Sequence, residues 1–111
     1  MKKFIVIYYA TADEKKQWEN AKPEDMKKGM DAWMAWVEKC GSGVVDVGAP
    51  LGNGQKVGTS GSSPSTKDVA GYSVLQAEDM DGAVEMLKGH PHLEMGGGCG
   101  IEVYEAMPHS M

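Results

Sequence analysis

The chain has 111 residues, 41% of them hydrophobic and 24% charged, a composition typical of one folded globular domain rather than of a disordered chain. The formal net charge is −5 and the isoelectric point lies near 5.1. Such a chain does not offer the concentrated basic surface that a nucleic acid or an anionic membrane needs, so neither is expected as its partner.

The first residues bear a brief likeness to a secretion signal. The apolar run Phe4–Ala10 is shorter than most signal-peptide cores, and the chain turns polar directly after it. No apolar stretch approaches the ~20 residues that a bilayer crossing requires. We therefore expect a cytoplasmic protein in which Cys40 and Cys99 are free thiols, with a disulfide between them as the alternative.

The N-terminal segment predicts a β-strand over Lys3–Ala10. Large apolar or aromatic side chains occupy both of its faces: Phe4, Val6 and Tyr8 on one, Ile5, Ile7 and Tyr9 on the other. A strand that is apolar on both faces is typical of the middle of a sheet that is covered on both sides.

Two helices are predicted to follow. Thr11 and Glu14 form a capping-box pattern, which predicts a short helical turn over Ala12–Trp18. Pro23 suits the first turn of a longer helix that Gly41 ends. Apolar residues recur along this longer helix at helical spacing and predict a buried stripe: Met26, Met30, Trp33, Met34 and Val37, flanked by Trp36 and Cys40.

The middle of the chain predicts short strands separated by turns. Val44–Gly48 has the composition of a strand, and Asn53-Gly54 predicts a tight hairpin turn between Leu51 and Val57. The glycine- and serine-rich segment Gly58–Lys67 predicts an exposed loop.

The C-terminal part predicts two more strands with a helix between them. Gly71–Ala77 and Ile101–Ala106 are the strands, and Asp79 or Asp81 caps a helix that ends near Gly89. The resulting order is β-α-β-β-α-β with an extra hairpin, which is the ferredoxin-like order of an α+β fold with an antiparallel sheet. Residues 1–111 are expected to form one domain.

This topology predicts a homodimer. The first and third main strands lie in the centre of the sheet, and two helices cover one face of it, so the apolar residues on the other face form an exposed patch. A second copy is the economical cover for such a patch. We expect two chains to pair through this sheet face.

Several segments together resemble the YCII-related family over nearly the whole chain. They are the opening strand, the tryptophan-rich helix ending in glycine, Val47-Gly48-Ala49-Pro50-Leu51, Gly71-Tyr72-Ser73-Val74, the aspartate-rich start of the following helix, and His90-Pro91-His92-Leu93 leading into Ile101-Glu102-Val103. The resemblance implies a dimeric α/β barrel of ferredoxin-like protomers with a pocket between sheet and helices.

The chain departs from family patterns in two places. The Asp-Gly-Pro-Phe signature of a larger subgroup is replaced by Ser62-Ser63-Pro64-Ser65. Some members resemble one another in a histidine on the first helix that is suspected of acting with an aspartate, and the matching segment here, Met30-Asp31-Ala32, has no histidine. A histidine–aspartate pair at that place is therefore not implied for this chain.

His90 and His92 are the predicted catalytic residues. Side chains two positions apart in an extended segment point the same way, so an extended His90-Pro91-His92 would direct both imidazoles into one cavity. Imidazole is a general base in its neutral form and a general acid in its charged form near pH 7, and Glu94 or Asp31 could orient one of the rings. In the alternative interpretation His90 bonds the last carbonyls of the preceding helix and His92 is a satisfied loop residue.

The other predicted ligand-binding residues flank these histidines in the expected fold: Tyr8, Asp31, Trp36, Tyr72 and Glu94. For the aromatic residues the alternative is a place in the core, with the tyrosine hydroxyls bonded to backbone. His90, His92, Glu94 and Cys99 are suitable metal ligands by type but match no spacing template, so a metal-binding protein stays an alternative and no metal or other cofactor is assigned.

Two functions follow from these residues. The first is proton-transfer chemistry of the lyase or isomerase type on a small aromatic or carbonyl-containing molecule, carried by the loop histidines. The second is a non-catalytic metabolite-binding or regulatory module that uses the same pocket. Whether the chain is an enzyme stays open on the sequence.

Overall fold

The computed structural model describes residues 1–94 and 98–107. Within these ranges the strands and helices, in chain order, are β1 (Lys2–Ala10), α1 (Ala12–Glu19), α2 (Pro23–Cys40), β2 (Val44–Pro50), β3 (Gln55–Gly58), β4 (Gly61–Pro64), β5 (Val69–Ala77), α3 (Met80–Leu87) and β6 (Cys99–Glu105). Short 3₁₀ turns cover Gly41–Gly43 and Pro91–Glu94. No helix in the described part of the chain combines the length and apolar character that a bilayer crossing needs.

The main sheet has the strand order β2-β5-β1-β6, and each neighbouring pair is antiparallel. The first and third main strands, β1 and β5, therefore lie in the centre, as the ferredoxin-like prediction required. The fold class predicted from the sequence is confirmed.

Strand β1 divides its side chains between two environments. Phe4, Val6 and Tyr8 face the helices and are buried, whereas Ile5 and Ile7 are half-buried on the opposite side. On the neighbouring strand β5, Ser73, Leu75 and Ala77 are buried on the helix side in the same way. These buried side chains between sheet and helices form the core. Burying one large apolar side chain stabilises a fold by about 1.5–3 kcal/mol. We call the uncovered side of the sheet the open face.

The predicted helix caps are present. The Thr11 side chain accepts a hydrogen bond from the Glu14 backbone N–H at 3.3 Å, and the Asp79 carboxylate accepts one from the Gly82 N–H at 2.8 Å. Each bond satisfies a donor that the first helical turn would leave unpaired. Of the two aspartates proposed as the cap of α3, the structure selects Asp79. Cys40 and Cys99 are both free thiols.

The predicted buried stripe on α2 is confirmed for Trp33 and Val37 but wrong for the methionines. Met26 and Met30 are 60% and 63% exposed and Met34 is also exposed, whereas Trp36 is buried and Trp33 packs against the core. The spacing is helical, but residues 23–32 of α2 are all exposed, so the first half of the helix buries no side chain against the described chain. The radius of gyration is 15.4 Å, above the roughly 13 Å expected of a compact domain of about 100 residues.

The hairpin is displaced from its predicted place. Asn53 does adopt the left-handed conformation, with φ +53°, but the strands on either side of it, β2 and β3, belong to different sheets and do not pair with each other. Instead Val57 pairs with Ser62, so the turn lies at residues 59–60 and part of the predicted loop Gly58–Lys67 is strand β4. The Asn-Gly signal marks a sharp change of direction after β2, and pairing between β3 and β4 decides where the hairpin closes.

Strand β2 contains a bulge at Gly48. The register to β5 shifts between Asp46 and Ala49, and Gly48 has φ +85°. A Cβ atom at this position would lie 1.7 Å from the Tyr72 carbonyl oxygen. Glycine is therefore required both for the backbone conformation and for the close approach to β5.

Replacing Gly48 with alanine is expected to destabilise the fold by about 3 kcal/mol or more, because the methyl group collides with the β5 backbone and favours a different φ. Equilibrium urea unfolding at a fixed protein concentration measures this loss. Gly52→Ala is the matched control, since no atom lies within 4 Å of a Cβ built there. Equal stability of the two variants would contradict the packing described for the bulge.

Candidate functional site

The histidine-bearing loop is a 3₁₀ turn, so the prediction of an extended His90-Pro91-His92 was wrong. The Leu93 backbone N–H donates to the His90 carbonyl at 3.1 Å, and the fixed proline φ of about −65° suits such a turn. Gly89, with φ +76°, redirects the chain between α3 and this turn. Both imidazoles still point inward: His90 is 0% and His92 2% exposed.

A continuous hydrogen-bond chain joins this turn to the sheet. The His92 backbone N–H donates to Nδ1 of His90 at 3.0 Å, and Nε2 of His90 lies 3.3 Å from the Tyr8 hydroxyl. The Tyr8 hydroxyl lies 2.7 Å from the Ser73 hydroxyl, which donates to the Val47 carbonyl at 2.6 Å. We refer to these groups together as the hydrogen-bond chain.

The two ends of the hydrogen-bond chain fix its direction. Nδ1 of His90 accepts from a backbone N–H, so in the neutral ring the proton is on Nε2, which donates to Tyr8. The Ser73 hydroxyl spends its proton on a backbone carbonyl, so it accepts from Tyr8. Every polar group in this buried path therefore has a partner, as a dry interior demands.

Burial sets the protonation states along this path. It lowers the pKa of His90 from 6.5 to about 4, with the neighbouring His92 contributing in the same direction. Burial raises the pKa of Tyr8 from 10.0 to about 12, against the opposing effect of the hydrogen bond with Ser73. His90 is therefore neutral and Tyr8 protonated at pH 7, which agrees with the donor directions given above.

His92 is held differently. Its Nε2 lies 2.8 Å from the Tyr9 carbonyl oxygen, and since a carbonyl only accepts, this nitrogen carries a proton. Within residues 1–94 and 98–107 no hydrogen bond reaches Nδ1 of His92. In the neutral ring Nδ1 is thus a lone pair held in a fixed orientation.

Aromatic rings surround both imidazoles. The Trp33 ring lies 4.5 Å from His90 and the Trp36 ring 4.3 Å, measured between ring centroids. Trp18 on α1 and Trp33 on α2 approach His92 at 6.0 and 6.5 Å, both edge-on. We call Trp18, Trp33 and Trp36 the aromatic wall. The Trp36 N–H donates to the Met86 carbonyl at 2.8 Å, which ties this part of the wall to α3.

The structure brings together some of the predicted site residues and separates others. Tyr8, Trp36 and the two histidines lie together. Tyr72 lies on the open face, where its hydroxyl approaches Asp46 at 3.4 Å, and Asp31 is exposed on α2. The side chain of Glu94 lies outside what the structure describes.

The His90 ring does not cap α3, as the alternative interpretation required. Its ring bonds the His92 N–H and Tyr8, not the last carbonyls of α3; the contact with α3 is made by the His90 backbone N–H, which donates to the Leu87 carbonyl at 3.1 Å. His92 does bond a backbone carbonyl, that of Tyr9. Within the described side chains, no carboxylate hydrogen-bonds either ring.

Sequence reasoning missed Ser73 and Trp18. Ser73 alternates with Leu75 and Ala77 on the buried side of a central strand, and a serine in such a register is a signal for a buried polar partner. Trp18 belongs to a short polar helix and carries no comparable pattern.

Two shallow depressions flank the histidine turn on its outer sides. One, of about 300 Å³, lies between α2 and the residues around Gly89, with Ala32, Ala35 and Trp36 in its wall. The other, of about 230 Å³, lies between α3 and β6 and includes Leu93. Neither is lined by His90 or His92, whose side chains are 0% and 2% exposed.

The fold and the site together define a ferredoxin-like α+β domain with a buried histidine–tyrosine–serine hydrogen-bond chain under its helices. The family model of the YCII-related domain matches residues 1–107, and the chain belongs to this family, as its motifs predicted. No curated protein is similar enough to the chain to count as a match.

Among solved structures, the chain is similar to the 5-chloro-2-hydroxyhydroquinone dehydrochlorinase TftG from Burkholderia phenoliruptrix AC1100, in complex with 2,5-dihydroxybenzoquinone. The TM-score is 0.50 and the sequence identity 16%, over 90% of each chain. At this identity the likeness concerns the fold, which it supports independently of the sequence motifs.

Removing the Tyr8 hydroxyl tests the hydrogen-bond chain. In Tyr8→Phe the buried His90 N–H loses its acceptor and the Ser73 hydroxyl loses its donor, so we expect a loss of about 1–3 kcal/mol in the free energy of unfolding. Thr59→Val is the control, because it removes a hydroxyl from an exposed residue of the β3–β4 hairpin, and its loss is expected to stay within about 0.5 kcal/mol. Urea unfolding of both variants decides, and equal effects would contradict the role given to Tyr8.

The lowered pKa of His90 predicts a pH dependence of stability. The unfolded chain binds a proton at this residue with pKa 6.5 and the folded chain only near 4, so the stabilisation is complete above pH 6.5 and is lost as the pH falls toward 4. Between pH 7 and pH 4 the wild type should lose about 3 kcal/mol more than His90→Gln. Urea unfolding across this range measures the difference; parallel curves would show that His90 titrates normally.

Proposed function

We propose that this YCII-family protein binds a small planar molecule with aromatic or carbonyl character beside His92, and that His92 accepts a proton from it. The observation that supports this most directly is the orientation of His92. Its Nε2–H is fixed on the Tyr9 carbonyl, which leaves Nδ1 as the basic nitrogen. A backbone carbonyl is a frequent means of selecting one imidazole tautomer for general-base work.

In this proposal the two histidines have different roles. When Nδ1 of His92 takes a proton, from a hydroxyl or from a carbon next to a carbonyl, the electron pair stays on the bound molecule. The bond from Nε2–H to the Tyr9 carbonyl then becomes charge-assisted and favours the imidazolium. His90 stays neutral and instead positions the turn, because its Nδ1 accepts the His92 backbone N–H.

The class of molecule follows from the surroundings of His92. The rings of Tyr8, Trp18 and Trp33 approach it at 5.2, 6.0 and 6.5 Å. Flat apolar walls of this kind favour a planar ligand, and the indole edges favour electron-rich oxygen atoms or π-faces. The solved relative was found with a dihydroxybenzoquinone, and that compound, a flat ring with hydroxyl and carbonyl groups, is a suitable probe for this chain.

A second function is a binding module without catalysis. It is favoured by the absence of a carboxylate partner for either imidazole within the described side chains, since many histidine bases are oriented by one. In that case the protein would sense or carry the same class of molecule.

One experiment separates the two functions. The probe is 2,5-dihydroxybenzoquinone in D₂O, with binding followed by thermal shift and proton transfer by the rate of deuterium uptake at the ring carbons. We expect the wild type to bind and to accelerate the exchange, and His92→Ala to lose at least about 100-fold of that acceleration. Leu93→Ala, at the exposed neighbour of His92, is the control.

Binding without acceleration would identify the module, and acceleration that survives in His92→Ala would remove the role of His92. No binding by the wild type would contradict the ligand class.

We also propose that the protein pairs through the open face. Ile5, Ile7 and Val74 form a half-buried apolar patch in the middle of that face. The carboxylates beside it already have tyrosine partners: Glu102 accepts from Tyr9 and Tyr104, and Asp46 from Tyr72. Satisfied carboxylates are much less costly to bury than free ones, as a second copy would require.

Val74→Glu tests this pairing. A charge in the middle of the patch should convert a dimer into monomers of 11.9 kDa, measured by sedimentation velocity at micromolar concentration. Val57→Glu makes the same change on the hairpin, where the side chain is 78% exposed, and should leave the dimer intact. A monomeric wild type, or a Val74→Glu variant that is folded by circular dichroism and still dimeric, would refute pairing through this face.

A further inference from the structure

Helix α1 covers His92 without being part of the core. Its Trp18 ring meets the His92 ring edge-on at 6.0 Å between centroids. Yet α1 contributes no buried side chain, in contrast to α2, which buries Trp36, and α3, which buries Ala83 and Leu87. Elements with few buried contacts open locally at a small fraction of the free energy of global unfolding.

Between residues that the structure describes, few hydrogen bonds hold α1 in place. The Lys15 ammonium donates to the Val69 carbonyl on β5 at 2.9 Å, and the Thr11 backbone N–H, just before the helix, donates to the Gly98 carbonyl at 3.1 Å. The first of these joins the body of the helix to the sheet through a single flexible side chain. Breaking it would leave the core layer untouched.

We infer that α1 is a lid over His92 and that Trp18 is the residue of the lid that determines which ligands enter. This inference rests on the proposed function, since it supplies the access that a ligand of His92 needs. His92 is only 2% exposed and lines neither of the two depressions beside the histidine turn, so a ligand reaches its ring when an element that covers it moves.

Among the described residues, the other rings that pack on His92 are poorly placed to move. Tyr8 is on the central strand and its hydroxyl belongs to the hydrogen-bond chain. Trp33 packs on Tyr8 at 5.0 Å and on His90 at 4.5 Å between centroids, so displacing it would disrupt the core. Movement of α1 instead takes the Trp18 ring away from His92 while Trp33 stays in place. A ligand that enters beside His92 meets these indoles, which favour a flat ring over a bulky aliphatic molecule.

The test needs no ligand. Diethyl pyrocarbonate modifies accessible neutral imidazoles, and the rate at each histidine is read by peptide mass spectrometry. Lys15→Met keeps the aliphatic stem and removes the bond to Val69, so we expect the modification of His92 to accelerate about tenfold. Trp18→Ala should accelerate it at least as much. Lys16→Met changes the next lysine, which is exposed on the same helix, and should stay within about twofold of the wild type.

His90 reports whether the opening is local. It lies beneath Tyr8 and Trp36 rather than beneath α1, so its modification rate should not change in any of these variants. Acceleration at His92 alone supports the lid. Parallel acceleration at both histidines, or no change at His92 in Lys15→Met and Trp18→Ala, would overturn it.

The outcome is independent of the probe experiment. A lid that opens in a protein that does not bind the quinone leaves the inference standing and the proposed ligand class wrong. If the protein binds the quinone but His92 is modified equally fast in all variants, the ligand class is supported and the lid is contradicted. In the wild type, bound 2,5-dihydroxybenzoquinone should slow the modification of His92 and leave that of His90 unchanged.

Discussion

The position of the histidine turn on the sheet depends on a buried hydrogen-bond chain in which the order of donors and acceptors is fixed. At one end the His92 backbone N–H must donate, and at the other the Val47 carbonyl must accept. The side chains between them have no freedom left, so His90 donates to Tyr8 and Tyr8 to Ser73. The histidine turn is thereby fixed to β1, β5 and β2 at a depth where an unpaired polar group would cost about 1–3 kcal/mol.

This constraint assigns chemistry as well as structure. A ring whose Nδ1 is occupied by a backbone N–H and whose pKa is lowered to about 4 by burial is a poor base at neutral pH. His90 therefore serves as part of the scaffold, and its occupied Nδ1 holds the backbone from which His92 extends. The Gly48 bulge belongs to the same device, since it lies beside Val47, whose carbonyl ends the chain. The backbone geometry of an outer strand thus contributes, through Ser73 and Tyr8, to the orientation of the His90 imidazole.

Much of the fold was predictable because local and tertiary signals agree. The doubly apolar strand β1 did occupy the centre of the sheet, and the caps at Thr11 and Asp79 were readable from residue type and spacing. The methionines of α2 show where such reading fails. Periodicity indicates one apolar face, but it does not tell whether another element covers Met26 and Met30.

The candidate site was predictable in part for the same reason. The two histidines and Tyr8 were found from their type and their place in the expected topology, although the turn that carries the histidines is 3₁₀ and not extended. Tyr72 was assigned to the ligand pocket, but it lies on the open face. Neighbouring residues of a strand such as Tyr72 and Ser73 point to opposite faces, so an error of one residue in the register reverses the face. Trp18 meets His92 through a contact between elements distant in sequence, which no local pattern encodes.

The most direct test of the central claim is the protonation of the imidazole nitrogens. Long-range ¹H–¹⁵N correlation spectra of histidine-labelled protein at pH 7 distinguish a protonated nitrogen from a bare one in each ring. The direction of the hydrogen-bond chain requires His90 to be neutral with its proton on Nε2 and with Nδ1 bare. A proton on Nδ1 of His90, or a ring averaging rapidly between both forms, would show that the chain of bonds from His92 to Val47 does not exist as described.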